Sequence, residues 1–191
     1  MRLPFTRLFR PSACLRGAIE AQRDPLYRLA FAWCHDRALA DDLVQETLLR
    51  ALDRAEQLRE TDRLKGWLCS ILANALRDHY RRQRGFENID DLDETVLADQ
   101  ATPEIASESA ELAARVRAEV ARLPVGQRMV VTLVDLQGFT YAEVSEALSV
   151  PIGTVMSRLC RARGALKARL LDAAPDFART EGSGRKVRIV K

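Results

Sequence analysis

Apolar side chains recur every three or four positions in two long blocks of this chain, at about residues 24–84 and 105–171. That spacing lines one face of an α-helix with apolar groups, so each block predicts several amphipathic helices. The low share of aromatic residues, 6%, also argues against a β-rich chain, and we predict an all-α fold. The predicted helices cover residues 26–33, 40–58, 64–84, 105–123, 126–136, 140–148 and 152–171.

The sharpest local signal lies in the second block, where Thr140-Tyr-Ala-Glu143 forms a capping box that starts a short helix. Pro151 then opens another helix, because it has no N–H to leave unpaired. Two short helices joined by an abrupt turn, the second of them basic, predict a helix-turn-helix. The inward face of the second helix is predicted to carry Ile152, Val155, Leu159, Ala162 and Leu166. Its opposite face carries Met156, Ser157, Cys160 and Arg161.

Charge is unevenly distributed, although 30 Lys+Arg and 27 Asp+Glu leave a net charge of only +3. Residues 86–111 hold nine acidic side chains and no basic one, whereas residues 112–191 hold 14 basic and seven acidic side chains. The acidic segment loses the apolar period and predicts a linker. We therefore predict a basic arm at 1–22, a helical domain at 23–85, an acidic linker at 86–110, a helix-turn-helix domain at 111–172 and a basic tail at 173–191.

Several classes of function lack their motifs in this sequence. It contains no P-loop, no nucleophile elbow, no zinc-protease helix and no setting that would tune paired carboxylates, so we predict no enzyme. Its cysteines are far apart, which predicts no metal site, no cofactor and a reducing, cytoplasmic location. No apolar run reaches the roughly 18 residues that span a bilayer. The first 14 residues fit either a flexible basic arm or a transit peptide.

Three stretches carry a family resemblance: ADDLVQETLLRA at 40–51, LKGWLCSILANALRDHYRR at 64–82, and GFTYAE with VPIGTVMSRLCRAR between 138 and 163. In this order, around an acidic linker, they resemble the bacterial RNA polymerase sigma factors of the extracytoplasmic-function group. The resemblance covers about residues 24–171. It implies a dissociable promoter-specificity subunit without catalytic residues.

The first stretch is similar to the helix with which the family binds the clamp helices of the polymerase largest subunit. Its polar face offers carboxylate and amide acceptors around one apolar anchor. An ordinary solvated helix face is the alternative on the residues alone. The implied polymerase-binding residues are Asp41, Asp42, Gln45, Glu46, Leu49 and Asp53.

The second stretch is similar to the family's minus-10 reader, which holds melted DNA. Its basic side chains can neutralise phosphates, and Asn74 can read a base edge. Trp67 has two candidate roles, core packing or shaping a pocket for an unstacked base. The implied minus-10 residues are Arg63, Lys65, Trp67, Asn74, Arg77, Asp78, Arg81 and Arg82.

The third stretch looks like the minus-35 reader, whose second helix enters the major groove. Arg161 is placed for bidentate contact with guanine. Arg128, Arg163 and the N–H groups near Gly153 are assigned to phosphate. Arg158 either binds phosphate or bridges within the domain. The implied minus-35 residues are Arg128, Gly153, Thr154, Met156, Ser157, Arg158, Cys160, Arg161 and Arg163.

Taken whole, the resemblance implies an alternative sigma factor that binds core RNA polymerase, reads minus-10 and minus-35 elements and helps to melt the promoter. The implied partners are the clamp helices, the flap of the second-largest subunit through the C-terminal domain, promoter DNA and an anti-sigma factor of unknown identity. The acidic linker either passes through nucleic-acid channels of the polymerase or is a plain tether. A free-standing dimeric regulator is the rival hypothesis, and it predicts tight operator binding by the protein alone.

Overall fold

The computed structural model describes residues 12–58, 60–84 and 108–172 of the chain. All regular elements in these ranges are helical and no strand occurs among them, which confirms the predicted all-α fold. Before the linker lie α1 (Ala13–Glu20), α2 (Arg23–Cys34), α3 (Arg37–Asp53) and α4 (Leu64–Arg84), with 3₁₀ turns at Ala55–Gln57 and Thr61–Arg63. After it lie α5 (Glu108–Ala121), α6 (Val125–Val131), α7 (Tyr141–Leu148) and α8 (Ile152–Asp172).

The basic arm predicted over residues 1–22 is wrong for its second half, which is helical. α1 begins after Ser12, whose hydroxyl oxygen accepts the N–H of Leu15 at 3.2 Å. Ile19 is fully buried where α1 packs on α3. Burial of this apolar side chain holds the helix on the domain. Residues 1–11 lie outside the described part of the chain.

A sharp turn joins α2 to α3. His35 adopts a left-handed backbone with φ of 54°, and Asp36 then caps α3 by accepting the N–H of Leu39 at 3.0 Å. α3 therefore begins at Arg37, before the predicted residue 40. It ends at Asp53 rather than near residue 58, because the chain tightens there into a 3₁₀ turn.

The apolar stripe of α4 forms the centre of the first half. α4 spans Leu64–Arg84 as predicted, and Leu68, Leu72 and Leu76 are fully buried at a spacing of four residues. Thr47 of α3 is buried with them and satisfies its hydroxyl by donating to the Leu43 carbonyl at 2.7 Å. This shared centre determines which faces of α3 and α4 point outward.

The second half contains the predicted helix-turn-helix, formed by α7 and α8. The capping box is present: the Thr140 N–H donates to the Glu143 carboxylate at 2.7 Å, and the Glu143 N–H donates to the Thr140 hydroxyl at 3.3 Å. Ser149 ends α7 with φ of 51°, a conformation that usually favours glycine. The hydroxyl of Ser145 donates to the Val150 carbonyl at 2.6 Å and so braces this turn.

The inward stripe predicted for α8 is confirmed at its centre and wrong at its start. Val155, Leu159 and Ala162 are buried, and Leu166 is partly buried. Ile152 is instead 49% exposed, because it lies in a first turn that projects into solvent between exposed neighbours. The helix predicted over 126–136 is also altered, since α6 ends at residue 131 and a π-helical turn covers Thr132–Leu136.

The two halves pack on each other, α4 against α7 and α2 against α5 and α6. The indole N–H of Trp33 donates to the Thr132 hydroxyl at 2.7 Å in the interior. Apolar residues of both halves belong to one continuous cluster. The acidic linker predicted over 86–110 lies outside the described residues except for its last three, with which α5 begins, and the tail over 173–191 lies outside entirely.

Replacing Thr140 with alanine is expected to destabilise the chain by about 1 kcal/mol, because one N–H at the start of α7 loses its acceptor. Thr140→Ser keeps the hydroxyl and is the matched control. Urea unfolding followed by circular dichroism measures both changes. Equal losses in the two variants would show that the methyl group, rather than the cap, stabilises this turn.

Candidate functional site

α3 carries the predicted polymerase-binding residues on its outer surface. Asp41, Asp42, Gln45 and Asp53 are exposed, and Leu49 is 64% exposed although it is apolar. The arrangement is an exposed apolar side chain surrounded by polar and acidic groups that can accept hydrogen bonds from a partner. The structure therefore brings the predicted set together on one helix face.

One arginine that the sequence analysis missed ties this face to α4. Arg50 contacts the Glu46 carboxylate at 2.6 Å and the Asp78 carboxylate at 3.4 Å. The four-residue spacing of Glu46 and Arg50 predicts an ion pair within the helix from the sequence alone. The contact with Asp78, which lies on another helix, can be seen only in the folded structure. Since the three side chains are about one-third exposed, the ion pairs position α3 more than they stabilise it.

An open groove between α3 and α4 joins two of the predicted sets. It brings Asp42 and Glu46 of the polymerase-binding set beside Arg82 of the minus-10 set. The side chains that line this groove are Leu39, Asp42, Leu43, Glu46, His79, Arg82 and Gln83. Leu39, His79 and Gln83 are therefore added to the candidate site by the structure.

The outer face of α4 holds the predicted minus-10 residues, and two of its cations contact the second half. Arg77 donates to the Asn74 side-chain oxygen at 2.6 Å and also to the main-chain carbonyl of Leu148. Lys65 donates to the carbonyl of Gln137 at 3.0 Å and lies 4.9 Å from the ring centroid of Phe139. Burial lowers the pKa of the Arg77 guanidinium.

The other minus-10 residues are more open. Arg63 pairs with Glu60 at 2.9 Å, and both side chains are largely exposed. Arg81 and Arg82 are exposed at the far end of α4, where Arg82 donates to the Asp78 carbonyl at 3.2 Å. Trp67 is partly buried against the core, so packing is the role that this arrangement supports for it.

α8 exposes the predicted base-reading face. Met156, Ser157, Cys160 and Arg161 are all exposed, as is Gly153 in the first turn. The Ser157 hydroxyl donates to the carbonyl of Thr154 at 3.0 Å, one turn earlier. We call Met156, Ser157, Cys160 and Arg161 the reading face.

Three arginines that were predicted to bind phosphate are buried or contact other groups of the protein. Arg128 is only 4% exposed and donates to the carbonyls of Trp33 at 2.7 Å and Leu123 at 2.8 Å, so the phosphate contact predicted for it does not fit. Arg158 is buried, which fits the alternative of a bridge within the protein. Arg163 pairs with the Asp135 carboxylate at 2.5 Å, and this contact raises the pKa of its guanidinium.

The cysteines and histidines do not form a metal centre in the described ranges, where no cluster of three ligands occurs. Burial raises the pKa of the Cys34 thiol to about 11 and that of Cys69 to about 12, so both remain neutral thiols that pack as small apolar groups. In residues 12–58, 60–84 and 108–172, no helix combines the length and apolar character needed to cross a membrane.

Comparison with known proteins identifies the class of protein that carries these faces. The Sigma-70 region 2 family matches residues 18–86, and the Sigma-70, region 4 family matches residues 113–166. The chain is 37% identical over 165 residues to the ECF RNA polymerase sigma factor EcfG of Rhodopseudomonas palustris, covering 85% of this chain and 89% of that protein. The chain belongs to the extracytoplasmic-function group of RNA polymerase sigma factors.

Two further relatives support this assignment. The ECF RNA polymerase sigma factor SigE of Mycolicibacterium smegmatis is 33% identical over 165 residues, which cover 85% of this chain and 63% of that protein. The solved structure of the sigma factor RpoE in complex with the anti-sigma factor NepR, from Bartonella quintana, superposes with a TM-score of 0.67 at 27% identity. That match covers 82% of this chain and 96% of the RpoE chain. We call residues 18–86 region 2 and residues 113–166 region 4.

The partly buried histidine after α2 predicts a pH-dependent stability. Burial, and then the charge of Arg128, lower the pKa of His35 from 6.5 to about 4. Because the unfolded chain binds this proton more readily, stability is complete above pH 6.5 and falls as the pH drops towards 4. Asparagine accepts the left-handed backbone but does not titrate in this window, so His35→Asn is expected to flatten that decline.

Urea unfolding of both proteins at pH 7 and at pH 5 measures the difference. The stability that wild type loses between these values is expected to exceed the loss in His35→Asn. Equal losses in the two proteins would assign the pH dependence to other groups.

Proposed function

We propose that this chain is an alternative sigma factor that binds core RNA polymerase and directs it to promoters with defined minus-10 and minus-35 elements. α3 binds the clamp helices through Leu49 and its surrounding acceptors. α4 holds the melted minus-10 strand, and α8 reads the minus-35 duplex. The protein works where core polymerase works, in the cytoplasm, and it performs no catalysis itself.

One observation favours this proposal over a free-standing regulator: the chain has two separate exposed faces, one on α3 and one on α8. The face of α3 exposes an apolar side chain, Leu49, among acceptors that a protein partner can contact, and the reading face of α8 exposes side chains that can contact base edges. A free-standing operator-binding protein needs only the second face. A subunit that delivers an enzyme to DNA needs both.

An anti-sigma factor is the regulatory partner that we propose. RpoE, which this chain resembles over most of its length, forms a complex with the anti-sigma factor NepR. A protein that binds this chain outside the polymerase would compete for the exposed face of α3 or prevent the halves from separating. The flap of the second-largest subunit is the proposed polymerase contact of region 4.

Run-off transcription with purified core polymerase over a promoter library tests the proposal. Wild type is expected to yield promoter-dependent transcripts, and Leu49→Ala to need about tenfold more protein for the same yield, because the apolar anchor is lost. Leu171→Ala, which truncates another exposed leucine at the end of α8, is the matched control and is expected to match wild type. Tight operator binding by the protein alone, without promoter-dependent transcripts, would favour the rival regulator.

Arg161→Ala is expected to relax the base preference at one minus-35 position by about 1–3 kcal/mol, the discrimination carried by a bidentate arginine–guanine pair. Lys167→Ala removes an exposed charge lower on the same helix and is expected to weaken binding evenly across sequences. Transcription from a library randomised at minus-35 measures both variants. An even loss in Arg161→Ala would show that Arg161 positions the helix without reading a base.

A further inference from the structure

The exposed face of α8 has an apolar side and a polar side. Ile152 is 49% exposed and Met156 is 53% exposed, although both side chains are large and apolar, and Cys160 is exposed as well. Because these residues follow one another at intervals of four, they lie along one side of the helix, and we call them the apolar stripe. Ser157 and Arg161 have the same spacing and form a neighbouring polar stripe.

The apolar stripe is not part of the protein core. The side of α8 that packs against α6 and α7 carries Val155, Leu159 and Ala162, which are buried. Removing apolar surface from water is favourable, so a partner that covers Ile152 and Met156 gains affinity by doing so. An exposed apolar strip bordered by polar residues is typical of an interaction surface.

The polar stripe forms hydrogen bonds with a partner mainly through one residue. The Ser157 hydroxyl donates to the Thr154 carbonyl at 3.0 Å, so its proton is engaged within the helix. The guanidinium of Arg161 offers several donors and no acceptor. Contact through the other half of the reading face, Met156 and Cys160, is mainly apolar, since a thioether and a thiol form only weak hydrogen bonds.

Charge identifies the kind of partner that fits the apolar stripe. Residues 152–171 hold five basic side chains and no acidic one, and Arg161 and Lys167 are exposed. Phosphates on both sides of a DNA major groove attract such a helix. Among the base edges in that groove, the apolar group is the C5-methyl of thymine. Duplex DNA with A·T pairs therefore supplies both the charge and the apolar surface that this helix face requires.

We propose that the minus-35 element contains at least one A·T pair whose thymine methyl packs on Met156, beside the guanine that Arg161 binds. The inference rests on the proposed function, because it assumes that α8 reads the minus-35 duplex. Met156 is suited to this contact, since its unbranched side chain adapts to the shape of a neighbouring group. Ile152 and Cys160 extend the apolar surface on either side of it. Sequence preference then has two physical sources, a methyl contact and a bidentate hydrogen bond.

Replacing thymine with uracil tests the proposal, because uracil lacks only the methyl group and keeps the same hydrogen-bonding groups. The complex of the chain with core polymerase is first assayed on the promoter library, and the promoter with the highest transcript yield is selected. Each thymine of its minus-35 element, on either strand, is then replaced in turn, and affinity is measured by competition with the unmodified promoter. We expect uracil at one or two adjacent positions to weaken binding about fourfold, the effect of leaving one apolar carbon in water. Uracil in the spacer between the two elements is the control and is expected to have no effect.

Met156→Ala separates the methyl contact from the other contacts of the helix. With a smaller side chain at this position, we expect the affinity ratio between the thymine and uracil promoters to fall from about four to about one. Met156→Leu keeps the apolar surface and is the matched control, expected to retain the ratio. Arg161→Ala is expected to weaken binding to both promoters and to leave the ratio unchanged. Circular dichroism checks that each variant folds, which the exposure of both positions favours.

Three results would overturn the proposal. One is a minus-35 element without an A·T pair, and another is a wild-type complex that binds thymine and uracil promoters equally at every minus-35 position. The third is a Met156→Ala variant that keeps the wild-type ratio. In that case an equal loss of affinity for both promoters would assign the apolar stripe to a protein contact.

Run-off transcription separates the failure of this inference from that of the proposed function. Promoter-dependent transcripts from wild type, together with the absence of any uracil effect, refute the methyl contact alone. If wild type yields no promoter-dependent transcript, the proposed function fails and the methyl contact fails with it.

Discussion

The buried guanidinium of Arg128 is the contact on which the arrangement of the chain depends. It donates to the carbonyls of Trp33, Ala121 and Leu123, which lie at the ends of α2 and α5. Since α2 precedes the linker and α5 follows it, one side chain joins the two halves. Burial lowers the pKa of this group, and the helix-end carbonyls replace the water that the charge has lost. A buried charge without such partners would cost several kcal/mol, so the three carbonyls and the cation require one another.

The Arg128 contacts also help to position the other contacts between the halves. With Trp33 held by Arg128 through its carbonyl, its indole N–H meets the hydroxyl of Thr132, four residues after Arg128 and the first residue of the π-helical turn. That fixes how region 4 lies on region 2, and α7 comes to rest along α4. Lys65 and Arg77 then reach the ends of helical segments rather than solvent. The exposed faces, Leu49 on α3 and Arg161 on α8, are what the packing leaves uncovered.

Helix positions, the capping box at Thr140 and the helix-turn-helix could be predicted from the sequence, because each depends on side chains within a few residues of one another. The role of Arg128 could not be predicted. Its acceptors are main-chain carbonyls, which every residue possesses and no residue type marks, and Trp33 is 95 residues away. α1 was not predicted for a related reason: it is only eight residues long, and only the packing on α3 shows what its buried residue, Ile19, contacts. The sequence therefore predicted which helix faces are exposed. The contacts between the two halves depend on long-range packing and could not be predicted.

An arginine in a basic stretch is ambiguous for a physical reason, since a guanidinium can donate either to the carbonyl oxygens at a helix end or to the oxygens of a phosphate. In this chain the ambiguity divides the predicted DNA-binding residues into two groups. Arg128 is buried among carbonyls and serves the fold, whereas Arg161 is exposed and is available to a duplex. Arg77 stands between them, half-buried and held by α7, so its role depends on the position of region 4. Separating the halves would expose the Arg77 guanidinium and the carbonyl of Leu148 to solvent together, so each satisfies the other only while α7 lies on α4.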